Sequence, residues 1–432
     1  MPTIWNDGIT RRAMLQLGVT TAVLAAVPPW LRREARAQVA GPRFLVTFYA
    51  DGGWDTTQVF DVHDPNDTTD GVDVDVPGQP VSQIATAGPL TYISNPTTRP
   101  AVDAFFASWA GRSAIVNGIN TRSTSHDQSR QLVFTGYLDP TRADFAVMAA
   151  HHSGQDLPLP HLLLSGPSYD GQFASLTGRV SGQLGDALAF DVVPGHVTPD
   201  TEQLTVSALG EAYVQQATEW QRLIAAGAPA SAISARFADF HEAQVRGDKL
   251  ANLASALPTD TNQGAQFAAS VANAFRQGLT TSVTVNQAGG FDTHSNDQDQ
   301  AQRYQDLFTF LNDFVTGLST QAGVASASML DETTIVYFSE FGRTPQLNGN
   351  NGKDHHPWVS LLLVGRGVAP GVYGLTDGNQ EGVKVNFSTG QPDDAGQVLD
   401  VTNAVAGLLT LVGANPGDYL PTGVRPFTAM IA

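Results

Sequence analysis

The chain has 432 residues, with 41 acidic and 23 basic side chains, so it carries a formal net charge of −18. This excess of negative charge argues against nucleic acid or anionic lipid as a partner, because phosphate binding needs clustered Lys and Arg. The absence of cysteine excludes disulfides, thiolate metal ligands and a cysteine nucleophile.

Residues 1–37 have the pattern of a twin-arginine export signal. Arg11 and Arg12 precede the apolar stretch LGVTTAVLAAV, and Ala35-Arg36-Ala37 offers a cleavage site with small flanking residues. The apolar run is too short to cross a bilayer, so no stable membrane span is expected. The alternative is an amphipathic first helix. We therefore expect the twin-arginine export machinery as a partner, a periplasmic or secreted location, and a single domain at residues 38–432 with a net charge of −21.

Six short runs of apolar and β-branched residues predict buried strands: Arg43–Tyr49, Ser113–Asn117, His161–Leu164, Ser282–Asn286, Thr333–Phe338 and Val359–Val364. Helical patterns lie between or after them, at Pro100–Trp109, Glu211–Ala226, Ala230–Leu257, Gln263–Gly278, Gln298–Leu318 and Val401–Leu411, with a shorter one in QSRQLVF after the second strand. This alternation predicts an α/β fold whose mostly parallel sheet has helices on both faces. The polar, turn-rich segment 64–80 is predicted to be a surface loop.

Chemically capable residues follow the first two strands at their carboxyl ends, where ligands bind in sheets of this kind. Asp51 comes after the first strand and precedes two glycines; it is a candidate ligand or an ordinary β-turn residue. Ser123, Thr124, Ser125 and His126 come after the second strand and precede a helix. The hydroxyls are either a helix N-cap or a nucleophile placed where helix amides could hold an anionic ester.

Three later segments add carboxylates, imidazoles and an arginine. Asp292 and His294 lie in a glycine-led loop, where they are metal ligands or turn residues. Glu340 is a candidate ligand at a strand end, and Arg343 is a candidate clamp on an anionic substrate group. The sequence GKDHHP places His355 and His356 directly before the last strand, as a polar turn or as a metal-binding turn.

These segments, taken in order, resemble the alkaline phosphatase and sulfatase superfamily. GGFDTHSN, FSEFGRTP and GKDHHPWVSLLLVG more closely resemble a branch of twin-arginine-exported bacterial proteins classed as a domain of unknown function. The resemblance covers essentially all of residues 38–432. It implies an alkaline-phosphatase-like fold, a divalent metal ion (zinc, calcium or magnesium) and an anionic ester as substrate.

The resemblance also implies a role for individual residues. Asp51, Asp292, His294, Glu340 and one of His355 and His356 would be metal ligands. A hydroxyl of Ser123, Thr124 or Ser125 would be the nucleophile. His126 and Arg343 are further candidate catalytic residues, with Arg343 as the clamp on the substrate. The usual Asp-His pair of the superfamily is Glu340-Phe341 here, so one imidazole is missing from a second metal position. The alternatives for that position are a different ion, His126 as a substitute ligand, or no second site.

Three functions remain open from the sequence. The first is an exported, metal-dependent hydrolase of phosphate or sulfate esters. The second is a periplasmic binding or assembly protein that keeps the fold without turnover. The third is a metal-free serine hydrolase using Ser125, His126 and an aspartate, although the Gly-x-Ser-x-Gly elbow of such enzymes is absent.

Replacing both Arg11 and Arg12 with Lys should trap the precursor in the cytoplasm, because the twin-arginine pair is the recognition element of such a signal. Immunoblotting of cell fractions would measure this, and the mature protein should begin at or near Gln38. Normal export of the double variant would rule out the twin-arginine assignment.

Overall fold

The computed structural model of the protein describes residues 43–67, 69–154, 156–179 and 261–432. These ranges contain six α-helices: α1 Pro100–Trp109, α2 His126–Thr135, α3 Phe145–Gly154, α4 Gly264–Arg276, α5 Asp299–Thr320 and α6 Val401–Leu411. Their strands are β1 Phe44–Ala50, β2 Gln83–Ala87, β3 Leu90–Ser94, β4 Ser113–Asn120, β5 His161–Leu163, β6 Thr177–Arg179, β7 Ser282–Ala288, β8 Thr333–Ser339, β9 Gly342–Arg343, β10 His355–His356, β11 Trp358–Gly365, β12 Gly371–Tyr373, β13 Lys384–Val385 and β14 Gln397–Val398.

Eight strands form the main sheet, in the order β12-β4-β11-β8-β1-β7-β5-β6. β11 runs antiparallel to both of its neighbours, β4 and β8, and the other pairings are parallel. β11 therefore begins at the edge where β4, β8, β1 and β7 end. This edge carries the loops that follow those strands and also the GKDHHP segment.

Helices cover both faces of the sheet, as the alternation of side chains along β1 shows. Phe48 contacts the rings of Phe310 and Phe314 on α5, at centroid distances of 5.5 and 5.0 Å. Its neighbour Tyr49 contacts Phe134 on α2, at 5.5 Å. Successive residues of a strand point to opposite faces, so α5 and α2 lie on opposite sides. All seven residues of β1 are buried, which explains its continuous apolar run.

The predicted α/β class and mostly parallel sheet are confirmed. Each of the six predicted strands is present, and the predicted helices at Pro100–Trp109 and Val401–Leu411 have the predicted bounds. The helices predicted at Glu211–Ala226 and Ala230–Leu257, and the signal at residues 1–37, lie outside the described residues.

The sequence patterns missed the edge strands β6 and β12 and the helix α3. The two edge strands have only three residues each, too few for a periodic pattern. In α3, six consecutive residues from Phe145 to Ala150 are buried, so the helix has no polar stripe in its first turns to reveal its period.

The segment 64–80 has neither helix nor strand in its described part, and Val72 and Val74 pack against Ile93. No helix in the described ranges is long and apolar enough to cross a membrane.

Candidate metal site

Four segments at one edge of the main sheet bring their side chains together. The β4–α2 connection supplies His126 at the first position of α2, and the loop after β7 supplies Asp292 and His294. Glu340 follows directly after β8, and His355 stands on the short strand β10 before β11. The reversed direction of β11 places His355 beside residues that follow parallel strands.

The Asp292 carboxylate is the centre of this cluster. Its Oδ1 atom lies 3.2 Å from Nε2 of His294 and 3.1 Å from Nε2 of His355. Its Oδ2 atom lies 3.5 Å from Nε2 of His126. The two Nε2 atoms of His294 and His355 are themselves 3.0 Å apart. Among the described residues, His126, Asp292 and His355 form a group whose ligand atoms all lie within 4.8 Å of one another, and His294 adjoins it.

The hydrogen bonds of the other ring nitrogens fix the tautomers. Each Nδ1 donates to an oxygen acceptor: His126 to Glu340 Oε1 at 2.8 Å, His294 to Asp354 Oδ1 at 2.9 Å, and His355 to the Thr124 carbonyl at 2.8 Å. A neutral imidazole that donates from Nδ1 has a lone pair on Nε2. Three lone pairs therefore converge on a carboxylate, and acceptors so placed need a cation or protons between them. Histidines that bind metal ions have this pattern.

The charges of the cluster favour positive charge between the imidazoles and the carboxylate, either as a bound divalent cation or as added protons. Asp292, Glu340 and Asp354 contribute three negative charges and Arg343 contributes one positive charge, which gives −2 with neutral imidazoles. Burial raises the pKa of Asp292, but the hydrogen bond from Arg343 outweighs it, with a further contribution from His355 when its Nε2 atom carries a proton, and the pKa is held at about 2. Asp292 therefore stays ionised. The set of imidazoles and carboxylate fits a divalent transition metal.

Arg343 has a different role from the expected substrate clamp. Its side chain is completely buried, and its guanidinium donates to the carbonyl oxygens of Gly52, Gly53 and Lys353 and to Asp292 Oδ1. These partners leave it unable to reach a substrate. The expectation was wrong because a sequence does not show whether an arginine at a strand end points outwards or into its own loops.

Gly52, the first of the two glycines after β1, is needed for this arrangement. Gly52 has φ of +118°, and a Cβ atom on it would lie 2.6 Å from the backbone nitrogen of Asp292. A side chain there would displace the Asp292 loop, so the close approach requires glycine.

Asp51 and His356 do not join the cluster. The Asp51 carboxylate accepts from Arg130 at 2.8 Å and from the Tyr49 hydroxyl at 3.2 Å. His356 follows His355 on β10, and adjacent residues of a strand point to opposite faces, so its ring is directed away from Asp292. Burial lowers the pKa of His356. Of the two expected histidines, His355 is the one that contacts Asp292.

The three hydroxyl residues lie beside the cluster and differ in their contacts. The Ser123 hydroxyl donates to Gln128 and accepts from the Ser125 amide, so it stabilises the turn before α2. Thr124 is exposed, and its carbonyl holds His355. Ser125 is the N-cap residue of α2, yet its exposed side chain makes no capping hydrogen bond. Ser125 therefore does not cap the helix with its hydroxyl, as a serine at this position was expected to do.

Sequence reasoning missed Asp354 and Arg130. Asp354 stands inside the GKDHHP motif, and its hydrogen bond to His294 lowers its pKa. Arg130 lies four residues after His126 on α2, a spacing that puts both side chains on one face of the helix. That spacing was the available signal for Arg130.

Residues 43–390 match a protein family described as "Protein of unknown function (DUF1501)". The chain belongs to this family. The resemblance to a domain of unknown function is thereby confirmed. A comparison with curated proteins found no match.

Solved structures similar to the chain include a protein in the alkaline phosphatase superfamily from Vibrio parahaemolyticus. That similarity has 10% sequence identity and a TM-score of 0.33, over 87% of this chain and 67% of the other. Another is Ps i-CgsB in complex with k-i-k-neocarrahexaose, with 8% identity and a TM-score of 0.32, over 87% of this chain and 73% of the other.

Replacing His355 with Ala should weaken zinc binding by roughly 100-fold or more, since losing even an outer partner of a ligand costs about 10- to 100-fold. Isothermal titration calorimetry of the purified protein with zinc chloride would measure this. His152→Ala, at an exposed position on α3, is the matched control and should bind like the wild type.

The same titration at lower pH provides an internal check. The hydrogen bond to Glu340 raises the pKa of His126 above its ordinary value of 6.5. Protons therefore compete for its Nε2 atom earlier than for a free imidazole, and zinc affinity should fall as the pH decreases through that raised pKa. Equal affinities of His355→Ala and the wild type, or an affinity independent of pH between about 8 and about 5, would contradict the site.

Proposed function

We propose that the protein is an exported, metal-dependent hydrolase of phosphate or sulfate esters. The observation that carries this proposal is the convergence of three Nε2 lone pairs on Asp292, next to exposed hydroxyls at the start of α2. His126, Asp292, His294 and His355 would hold the cation. Zinc is favoured over calcium and magnesium, which prefer oxygen ligands. A bound divalent cation would supply positive charge that helps a nearby hydroxyl to ionise and that offsets charge on the ester.

Ser125 is the favoured nucleophile. Its hydroxyl is exposed and makes no capping bond, and the residue directly precedes His126. It also stands at the N-terminus of α2, where amide groups and the helix dipole favour an anion. Thr124 is the second candidate, because its carbonyl is fixed by His355 and its side chain is exposed. Ser123 is less suited, since its hydroxyl already has two partners.

Arg130 takes the substrate-binding role that Arg343 cannot perform. Its side chain is a quarter exposed, and its guanidinium is oriented by Asp51 and by the Tyr49 hydroxyl, 3.1 Å from Nε. Arg130 lies one helical turn after His126, on the same face of α2. A guanidinium held in this way could bind the non-bridging oxygens of a phosphate or sulfate group. Asp51 would then position Arg130 rather than bind the cation.

A non-catalytic binding or assembly protein is the second candidate. The observation that favours it is Phe341, whose ring packs against His126 and His355 at centroid distances of 4.9 and 4.2 Å. An apolar ring fills the position where the superfamily resemblance implied a further imidazole. A site that holds a single metal ion is compatible with a protein that binds a ligand without hydrolysing it, as well as with a hydrolase.

Ser125→Ala should lose ester turnover by several orders of magnitude while the melting temperature stays near that of the wild type, because a nucleophile is essential and this hydroxyl caps nothing. Turnover of p-nitrophenyl phosphate and p-nitrophenyl sulfate, with each common divalent ion, would be measured beside thermal melting. Thr124→Ala tests the second candidate in the same assay.

Ser123→Ala is the matched control. It removes a turn hydrogen bond, so it should cost about 1 kcal/mol of stability and leave turnover nearly intact. Full activity in all three variants would exclude a hydroxyl nucleophile here. A wild type that is inactive with every ion would support the binding protein instead.

Arg130→Gln should lower kcat/KM for the same esters by about 10- to 150-fold, since a hydrogen bond to a charged group is worth ~1.5–3 kcal/mol. Most of the loss should be in KM if Arg130 holds the anion in the ground state. Arg276→Gln, on α4 at the other face of the sheet, is the charge-matched control. If Arg130→Gln and Arg276→Gln have the same kcat/KM, Arg130 does not bind the substrate.

A further inference from the structure

The loops around the candidate metal site share a buried ion pair. The Nζ atom of Lys353 lies 2.8 Å from Asp55 Oδ2 and donates to the Thr57 hydroxyl at 3.1 Å. Lys353 and Asp55 are both fully buried. A buried charge requires a partner and further hydrogen bonds, so this geometry is strongly constrained. The pair ties the loop after β1 to the segment that carries His355, two residues after Lys353.

The backbone of Lys353 adds two more connections. Its amide donates to the carbonyl of Thr293, the residue between Asp292 and His294, at 3.1 Å. Its carbonyl accepts from Arg343 at 3.1 Å, and Arg343 also donates to Asp292 at 2.8 Å. Lys353 is therefore attached at once to the loop after β1, to the Asp292–His294 loop and to the arginine that orients Asp292.

Buried polar side chains make a second link between the same two loops. The Asp297 carboxylate accepts from the Thr293 hydroxyl at 2.9 Å and from the Gln58 amide at 2.8 Å. Gln300 accepts from the backbone amide of Asp55 at 2.5 Å and donates to the Thr293 hydroxyl at 2.9 Å. The position of Thr293, and so of its two neighbours, depends on residues 55–58.

Lys353 cannot act on a substrate directly. Its side chain is buried, and its ammonium group is already held by Asp55 and Thr57. Any effect on the site must pass through the ligands that its backbone and its neighbours carry.

We propose that Lys353 is a positioning residue for the candidate metal site. Its ion pair with Asp55 fixes the separation between His355 and the Asp292–His294 loop, and thereby sets the affinity for a divalent cation. The inference rests on the metal site of the proposed function, but not on any turnover.

The test is zinc affinity, measured by competition with a chromophoric chelator on the metal-stripped protein. The double variant Asp55→Asn/Lys353→Met removes both buried charges and so leaves neither unpaired. We expect it to fold, as judged by circular dichroism, and to bind zinc at least 10-fold more weakly than the wild type. The single variant Lys353→Arg keeps the positive charge next to Asp55. Its zinc affinity should lie between that of the double variant and that of the wild type.

Two further variants separate positioning from stability. Glu332→Gln alters another buried charged residue, whose carboxylate holds the backbone amides of residues 324–326 before the start of β8. It should lower the melting temperature without changing zinc affinity. Thr57→Val removes one hydrogen bond from Lys353 and one from Asp55, and should weaken zinc binding a few-fold.

A folded double variant that binds zinc like the wild type would overturn the proposal. If the double variant does not fold, Thr57→Val decides: unchanged affinity overturns the proposal, and weakened affinity supports it. A wild type that binds no zinc overturns it as well. A wild type that binds zinc but hydrolyses no ester would remove the proposed hydrolase while leaving the positioning role in place.

Discussion

The reversed direction of one strand determines where the histidines lie. Strand β11 is antiparallel to β4 and β8 in a sheet whose other pairings are parallel, so its first residues meet the last residues of its neighbours. In an all-parallel sheet, a motif that precedes a strand would lie at the opposite edge from residues that follow strands. The reversal brings His355 next to Asp292. The candidate site depends on the antiparallel direction of this one strand.

Two buried basic side chains hold the loops at this edge of the sheet in place. Arg343 and Lys353 are both inaccessible to solvent, and both connect the loop after β1 to the ligand-bearing segments. Removing one partner of a buried pair such as Lys353–Asp55 typically costs about 3–5 kcal/mol, whereas replacing both by apolar side chains is often neutral or stabilising. Stability alone therefore does not explain this pair. The position that it imposes on the segment carrying His355 does.

The sequence was sufficient to predict most of the sheet and the edge at which the candidate site lies. Strands buried on both faces leave continuous apolar runs, and the residues that follow them are then identified by position alone. Side-chain direction could not be predicted in this way. Arg343 points into its own loops, Asp51 pairs with Arg130, and His356 faces away because strand residues alternate. The contacts of Arg343 and Asp51 are tertiary, and no local pattern encodes them. The direction of His356 follows from the alternation only once the two-residue strand β10 is known.

The hydrogen bonds around the imidazoles join the fold to the chemistry. Glu340 is completely buried, and its Oε1 atom accepts from the Gly52 amide at 2.9 Å as well as from His126. The same carboxylate therefore holds the glycine turn, sets the tautomer of His126 and directs its Nε2 lone pair at Asp292. Because Gly52 must approach the Asp292 backbone closely, a shift in this turn would change both the ligand loop and the imidazole. The geometry of the candidate site is thus a property of the sheet edge as a whole, because the turn after β1 is held against both the Asp292 loop and the Glu340 carboxylate that orients His126.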